Sequence, residues 1–319
     1  TPETGKTEDD YKNQTVPGND TYTGYTHGTF KNEKKYTEMV TGEFPANLKD
    51  QTITFNLILQ FPDNNENQDS EKGKTFNGKV VVNYEEPKFF DEDSWSEIAA
   101  NVKKNPTAYA VGSTKQLTID NKSYTLRVAN NTIPAECNDS NFSETACGFV
   151  VEFVDVVETR QMNSTSTNVG GWPATEMRTY ANGDFLNKLP AELRNVIIDT
   201  KVVSGHGSSD KNASRADGNW ESEDKIYLLS THEVWANVLG HDTAYDKTRQ
   251  LDYYKNLGVT ISNYSGAIKK KINGNASHWW LRVANSSFDS GFLAATNIGG
   301  CNNAVAKSNT GFAPAFRIG

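Results

Sequence analysis

The chain has 319 residues, with 40 acidic against 32 basic side chains and a formal net charge of −8. That balance argues against a nucleic-acid partner, because phosphates call for a basic patch and the longest basic run, Lys269-Lys270-Lys271, is too short to make one. Mean hydropathy is −0.66, and no stretch reaches the roughly 18–20 consecutive apolar residues of a membrane span, so no membrane insertion is expected.

Six tryptophans, 13 tyrosines and 15 phenylalanines are enough to build cores in so polar a chain. The length suggests two domains. The chain opens at Thr1-Pro2-Glu3-Thr4 with no apolar leader, the start expected of a mature or trimmed protein. Residues 1–24 are polar and Thr-rich and read as a flexible tail or linker. Residues 25–88 read as a small β-sandwich: Thr52 to Phe61 alternates apolar and polar, Lys79 to Tyr84 is a second strand, and Pro62 to Gly73 is a polar loop between them. Glu85-Glu86-Pro87 marks the linker.

Residues 89–319 read as mixed α+β. Trp95 to Val102 has helical spacing, with Asp93 or Ser94 as N-cap and Asn105-Pro106 as the stop. Gln116 to Ile119 and Ser123 to Val128 are strands joined by Asp120-Asn121, and Phe149 to Val157 is a central strand. Trp172 to Leu186 is a helix, and Pro190 to Ile197 a second with proline at its first position. After a polar loop from His206 to Asn219, Lys225 to Leu229 is a strand running into a helix opened by the capping box Ser230-Thr231-His232-Glu233. Leu126-Arg127-Val128-Ala129-Asn130 recurs as Leu281 to Asn285, too short an echo to count as a repeat.

Cys137 and Cys147 bracket a polar segment. A disulfide between them would close a loop of about ten residues and contribute roughly 2–3 kcal/mol. The Asn-, Ser- and Thr-rich composition suits an extracellular protein and favours the bond over two thiols in a reducing cytosol. Cys301 is left over.

The chain is not expected to be an enzyme, and neither a cofactor nor a metal is expected. His232-Glu233 lacks the second histidine of a zinc protease, since position 236 is alanine. Asp63 to Asp69 begins like a calcium loop but has Gln68 and Lys74 where that loop needs glycine and glutamate. There is no nucleophile elbow, no phosphate loop, and no thiol-nucleophile signature around Cys301.

Several segments in order carry a resemblance. They are Trp95 to Val102, Gln161-Met162-Asn163-Ser164, Asn168-Val169-Gly170-Gly171-Trp172 with Met177-Arg178, Asp224 to Ser230, Trp279-Trp280-Leu281-Arg282, and Gly311 to Phe316. Together they resemble the DUF6273 family, a domain of unknown function common in secreted and phage-encoded proteins of gut Bacillota. The resemblance covers roughly residues 91–319. It implies an organisation similar to the C-type lectin-like fold, with Gly311 to Ile318 as the last core strand. The calcium-sugar motifs of animal lectins, Glu-Pro-Asn and Trp-Asn-Asp, are absent, so calcium-dependent sugar binding does not carry over. Residues 25–86 resemble, more weakly, β-sandwich subunits of Gram-positive pili and surface fibres, on Thr52 to Phe61 and Gly73 to Val80. This implies a stalk that could engage fibre or pilus subunits.

Phe288 to Ser308 follows no apolar period. It resembles the variable region of target proteins diversified by a retroelement that mutates adenines in asparagine codons. Such a codon ending in a pyrimidine reaches Asp, Ser, Gly, Ala, Thr, Ile, Val, Cys, Phe and Leu, but not Lys, Glu, Gln, Met or Trp. Every residue from 288 to 305 belongs to the reachable set, and Lys307 does not. An ordinary glycine-rich loop shares much of this composition. The resemblance implies a secreted, cell-surface or phage-borne binder of a protein or glycan ligand. A fixed-specificity adhesin or a structural fibre subunit is the alternative. The expected contacts are Trp280 and Arg282, then Phe288, Asp289, Ser290, Phe292, Leu293, Thr296, Asn297, Ile298, Cys301, Asn303, Val305 and Ser308, with Asn302 as a further hydrogen-bonding group. Trp280, Phe288 and Phe292 are the expected aromatic anchors. Strand alternation predicts that only one of Trp279 and Trp280 points inward.

Overall fold

The computed structural model describes residues 88–205, 220–236, 247–271 and 273–319. The chain divides between Pro87 and Lys88, and the described residues belong to the second of its two units. The expected tail, N-terminal sandwich and calcium-like loop lie outside the described residues, as does the loop from His206 to Asn219.

The first helix, α1 (Trp95–Lys104), starts where its sequence says it should. The Ser94 hydroxyl accepts from the Glu97 amide at 3.3 Å, and the Glu97 carboxylate accepts from the Ser94 amide at 2.8 Å. Trp95, Ile98 and Val102 fall on one face and are buried. Strands β1 (Thr114–Ile119) and β2 (Lys122–Asn130) form a hairpin. Its two-residue turn needs positive φ at both positions, and Asp120 and Asn121 supply 50° and 61°. Cys137 and Cys147 are joined by a disulfide. Strand β3 (Val150–Phe153) is buried along its length, and β4 (Glu158–Arg160) follows.

The helix expected over Trp172 to Leu186 is broken. A 3-10 turn covers Trp172–Ala174. Thr175 then caps a separate helix, α2 (Glu176–Tyr180), by accepting from the Arg178 amide. A π turn at Ala181–Phe185 interrupts it. The cause is Asn182, whose carboxamide accepts from the Lys225 and Ile226 amides and donates to the Ile226 carbonyl. That anchoring also shortens the next expected strand. After β5 (Thr200–Ser204) and β6 (Trp220–Asp224), β7 covers only Tyr227–Leu228. The helix expected from Pro190 shrinks to Ala191–Arg194, with Pro190 as its N-cap. The capping box at Ser230 opens a short helix, Thr231–Val234, as its sequence predicts.

The remaining strands are β8 (Lys269–Lys270), β9 (Ala276–Ser277), β10 (Trp279–Ala284), β11 (Gly291–Ala295), β12 (Cys301–Val305), β13 (Thr310–Phe312) and β14 (Pro314–Arg317). Two five-stranded sheets result, ordered β1-β2-β3-β14-β7 and β12-β11-β10-β13-β4. Gly311 to Ile318 is therefore two strands rather than one. The chain passes from the first sheet to the second between β3 and β4 and back again at Ala313, so β4 pairs with β13 in one sheet while β3 pairs with β14 in the other. Gly311 lets β13 lie close beside β10, its parallel neighbour, because a Cβ there would lie 2.5 Å from the His278 carbonyl oxygen. Phe185 touches both sheets, meeting Phe153 of β3 at 5.8 Å and Phe312 of β13 edge-on at 4.9 Å, and Trp235 stacks on Trp279 at 6.5 Å.

Candidate functional site

The second sheet ends in the β11–β12 hairpin, and two anchors fix that hairpin to the body. The first is asparagine chemistry at its entrance. The buried Asn168 amide nitrogen donates to the carbonyls of Asn285, Phe288 and Gly291 at 2.7–2.9 Å. The Asn285 side chain accepts from the Ser287 and Phe288 amides, a local turn that asparagine favours. Together these hold Phe288 outward, 54% exposed, with Val169 of the facing loop 58% exposed. The second anchor is the hairpin's tip. Trp235 donates its indole N–H to the Gly299 carbonyl at 3.0 Å. Gly299 has φ +89°, and a Cβ there would lie 2.1 Å from the Tyr264 carbonyl oxygen, so only glycine fits. Ile298 beside it stands 57% exposed.

Between the anchors, β12 is an edge strand. It exposes Cys301, Asn302, Asn303 and Val305, with Ala304 half-buried. Asp289 and Asn297 are exposed, and Ser290, Thr296 and Ser308 are half-buried. Cys301 carries a free thiol. Most of the expected contact residues thus share one edge.

Four of them do not. Trp280, Arg282, Phe292 and Leu293 are buried. Alternation along β10 does send Trp279 and Trp280 to opposite faces, but both faces are covered, and all six residues of the strand are inside. Trp279 donates to the Ala267 carbonyl and Trp280 to the Arg160 carbonyl. Phe292 and Leu293 lie on β11, flanked by β10 and β12.

Arg282 is an internal ion. Its guanidinium meets the Glu233 carboxylate through two bonds of 2.7 Å. It also donates to the Leu228 carbonyl and the Thr145 hydroxyl. Glu233 further accepts from Thr145, Thr248 and the Ser230 amide. Burial raises the Glu233 carboxyl, and Arg282 together with these donors reverses the shift and holds it below the usual range.

A second buried cluster centres on Glu152, bonded to Arg127 at 2.6 Å, Lys269 at 2.8 Å and the Tyr254 hydroxyl at 2.8 Å. Burial pushes this carboxyl up, and the two cations more than reverse that, holding it at about 2. Burial pulls Lys269, the second cation on one anion, below its ordinary value.

Beside the hairpin tip lies an open polar cleft of about 350 Å³. It is formed by the β8–β9 turn, β9 itself, His278 ahead of β10, Asn297, and Asn309 with Thr310 at the start of β13. Sequence reasoning missed this cleft, because its residues are scattered polar side chains in turns. It also missed Asn168 and Asn285, although Asn168 sits in a quoted motif.

Among the described residues there is no group of three His, Cys, Asp or Glu side chains able to hold a metal. No described helix is long and apolar enough to cross a membrane. A family model described as a domain of unknown function (DUF6273) matches residues 149–319. No curated protein and no solved structure matches the chain.

Proposed function

We propose, from the premise that the chain belongs to the DUF6273 family, that it is a non-enzymatic bacterial or phage surface protein that binds a protein or glycan ligand through the exposed edge of the β11–β12 hairpin. The observation that carries this reading is the combination of a fixed frame with a permissive rim. Asn168, Asn285, Gly299 and Trp235 lock the hairpin's ends, while Phe288, Asp289, Asn297, Ile298, Asn303 and Val305 face out and support nothing in the core. Large apolar side chains left exposed beside polar ones are what a ligand surface presents.

The same division supports diversification of this segment by an adenine-mutating retroelement. Every outward residue from 288 to 305 belongs to the set reachable from an asparagine codon. We read the scaffold as C-type lectin-like; the last strand, β14, lies inside the first sheet between β3 and β7, which supports that reading. Secretion is part of the proposal, and the disulfide supports it. Fibre or pilus contacts through residues 25–88 remain a proposal from resemblance alone.

One observation favours a fixed-specificity adhesin instead. Gly291 to Ala295 lie in the reachable run yet are all buried, and a Cβ at Gly291 would lie 2.9 Å from the Ala304 carbonyl oxygen. Packing explains their small size without any diversification.

The binding site itself is testable. Phe288→Ala is expected to weaken attachment of the labelled chain to its target cell or particle by about 2 kcal/mol, roughly thirtyfold, with Tm unchanged. Flow-cytometric titration reads the first and a thermal melt the second. Full binding by Phe288→Ala, Ile298→Asp and Val305→Asp would remove this edge as the ligand surface.

A further inference from the structure

The polar cleft beside the hairpin tip has a chemistry of its own. Lys271, Asn275, His278, Asn297 and Asn309 line it and are exposed, and Thr310 forms part of its wall. Among the described residues, no hydrogen bond or ion pair engages the side chains of Lys271, Asn275, His278, Asn297 or Asn309, although their neighbours in the same turns are well bonded. Lys271 and Asn275 are tied to each other through backbone N–H to carbonyl at 2.8 Å, and the Asn273 carboxamide oxygen accepts from the Asn275 amide. The His278 carbonyl is held by the Gly311 amide at 2.9 Å. The backbone is therefore set while the polar ends stay available.

No carboxylate and no Trp, Tyr or Phe ring lines the cleft. The first point matters in a chain of net charge −8, because local attraction from Lys271 meets no acid within the lining. The chain's distant acids are screened beyond about 8 Å at physiological salt. The second point bears on ligand class. A neutral sugar or a base is commonly held by stacking on a Trp, Tyr or Phe ring, and the only ring in the lining is the smaller imidazole of His278. What remains is one ammonium, that imidazole, several carboxamides that both donate and accept, and hydroxyls. A volume of about 350 Å³ suits one or two sugar rings.

We infer that this cleft binds an acidic sugar, its carboxylate paired with the Lys271 ammonium and its hydroxyls bonded by Asn275, Asn297 and Asn309. The site shares Asn297 with the rim that carries Phe288, but it is not lined by Phe288 and does not depend on the function proposed for that edge.

Saturation-transfer NMR titration of the full chain tests this, with D-glucuronate as probe and D-glucose and inorganic phosphate as comparators. Glucuronate is expected to saturate in the millimolar range, as a single weakly held sugar does. Binding is expected to weaken at least about tenfold in Lys271→Gln and about threefold or more in Asn309→Ala. Phe288→Ala is expected to bind it unchanged. Glucose is expected to bind at least about tenfold more weakly than glucuronate, one lost charge contact being of that order. Absence of saturation, indifference to both cleft variants, or glucose binding equal to glucuronate overturns the proposal. So does phosphate displacing glucuronate at equal concentration, which would mark a plain anion site with no sugar recognition.

Discussion

Arg282→Ala is expected to destabilise the chain by about 3–5 kcal/mol, because it leaves the Glu233 carboxylate buried without its cation. The two side chains are fully buried and share two 2.7 Å bonds. In a unit of this size, such a loss lowers Tm by on the order of 10 °C in a calorimetric scan. Arg282→Lys is expected to recover only part of it, since an ammonium cannot make the paired contact. Removing both charges together, as Arg282→Met with Glu233→Leu, is expected to be far milder than either single loss. The outcome also decides between two roles. A variant that melts normally yet fails to bind its target would make Arg282 a ligand contact, as the sequence leads one to expect.

Glu152→Ala is expected to cost a similar 3–5 kcal/mol, since it leaves two buried cations, Arg127 and Lys269, facing each other without their anion. The same carboxylate predicts an acid dependence. Its folded value of about 2 lies below the ordinary 4.5. Its contribution is therefore fully present above about pH 4.5 and is lost as pH falls through that value toward 2. Denaturant melts between pH 6 and pH 3 should show wild type losing stability over this window. Glu152→Gln, starting less stable, should lose less over the same range. Equal acid sensitivity in both chains would mean that other carboxylates govern the low-pH limit.

Local chemistry was legible in the sequence. Ser94 with Glu97, and Ser230 with Glu233, announce helix starts because a capping box needs only four residues of chain. Asp120-Asn121 announces a hairpin because few residues tolerate two positive φ angles in succession. What failed was inference about burial. The alternation rule supposes that a strand has one wet face, and β10 has none. That rule puts Trp280 at the surface, and the resemblance of residues 288–308 to a variable region puts Phe292 there. A strand enclosed on both faces has no apolar period to show. The helix from Trp172 breaks for a reason no local pattern carries, namely that Asn182 bonds residues more than 40 positions away.

The echo of Leu126 to Asn130 in Leu281 to Asn285 is more structured than its length suggests. Each copy runs along a strand beside an irregular register, at Val128/Asn130 and at Trp280/Ala284. Each buries its arginine on a glutamate from elsewhere in the chain. Each closes with an asparagine bonded to backbone. The two strands solve one packing problem in the same way, one in each sheet.

For the candidate site, composition drew attention to residues 288–308, and the folded chain divides them. Gly291 to Ala295 belong to the core, while Phe288, Asp289, Asn297, Ile298, Cys301, Asn302, Asn303 and Val305 form the rim. That division sharpens the genetic expectation. The most direct measurement is the sequence of the encoding locus around codons 288–308. The account predicts a near-copy of this segment beside a reverse transcriptase gene, differing only at template adenines. Its differences should concentrate in codons of the outward residues and spare codons 291–295. No such copy, or differences spread equally through the buried codons, would contradict a diversified ligand surface.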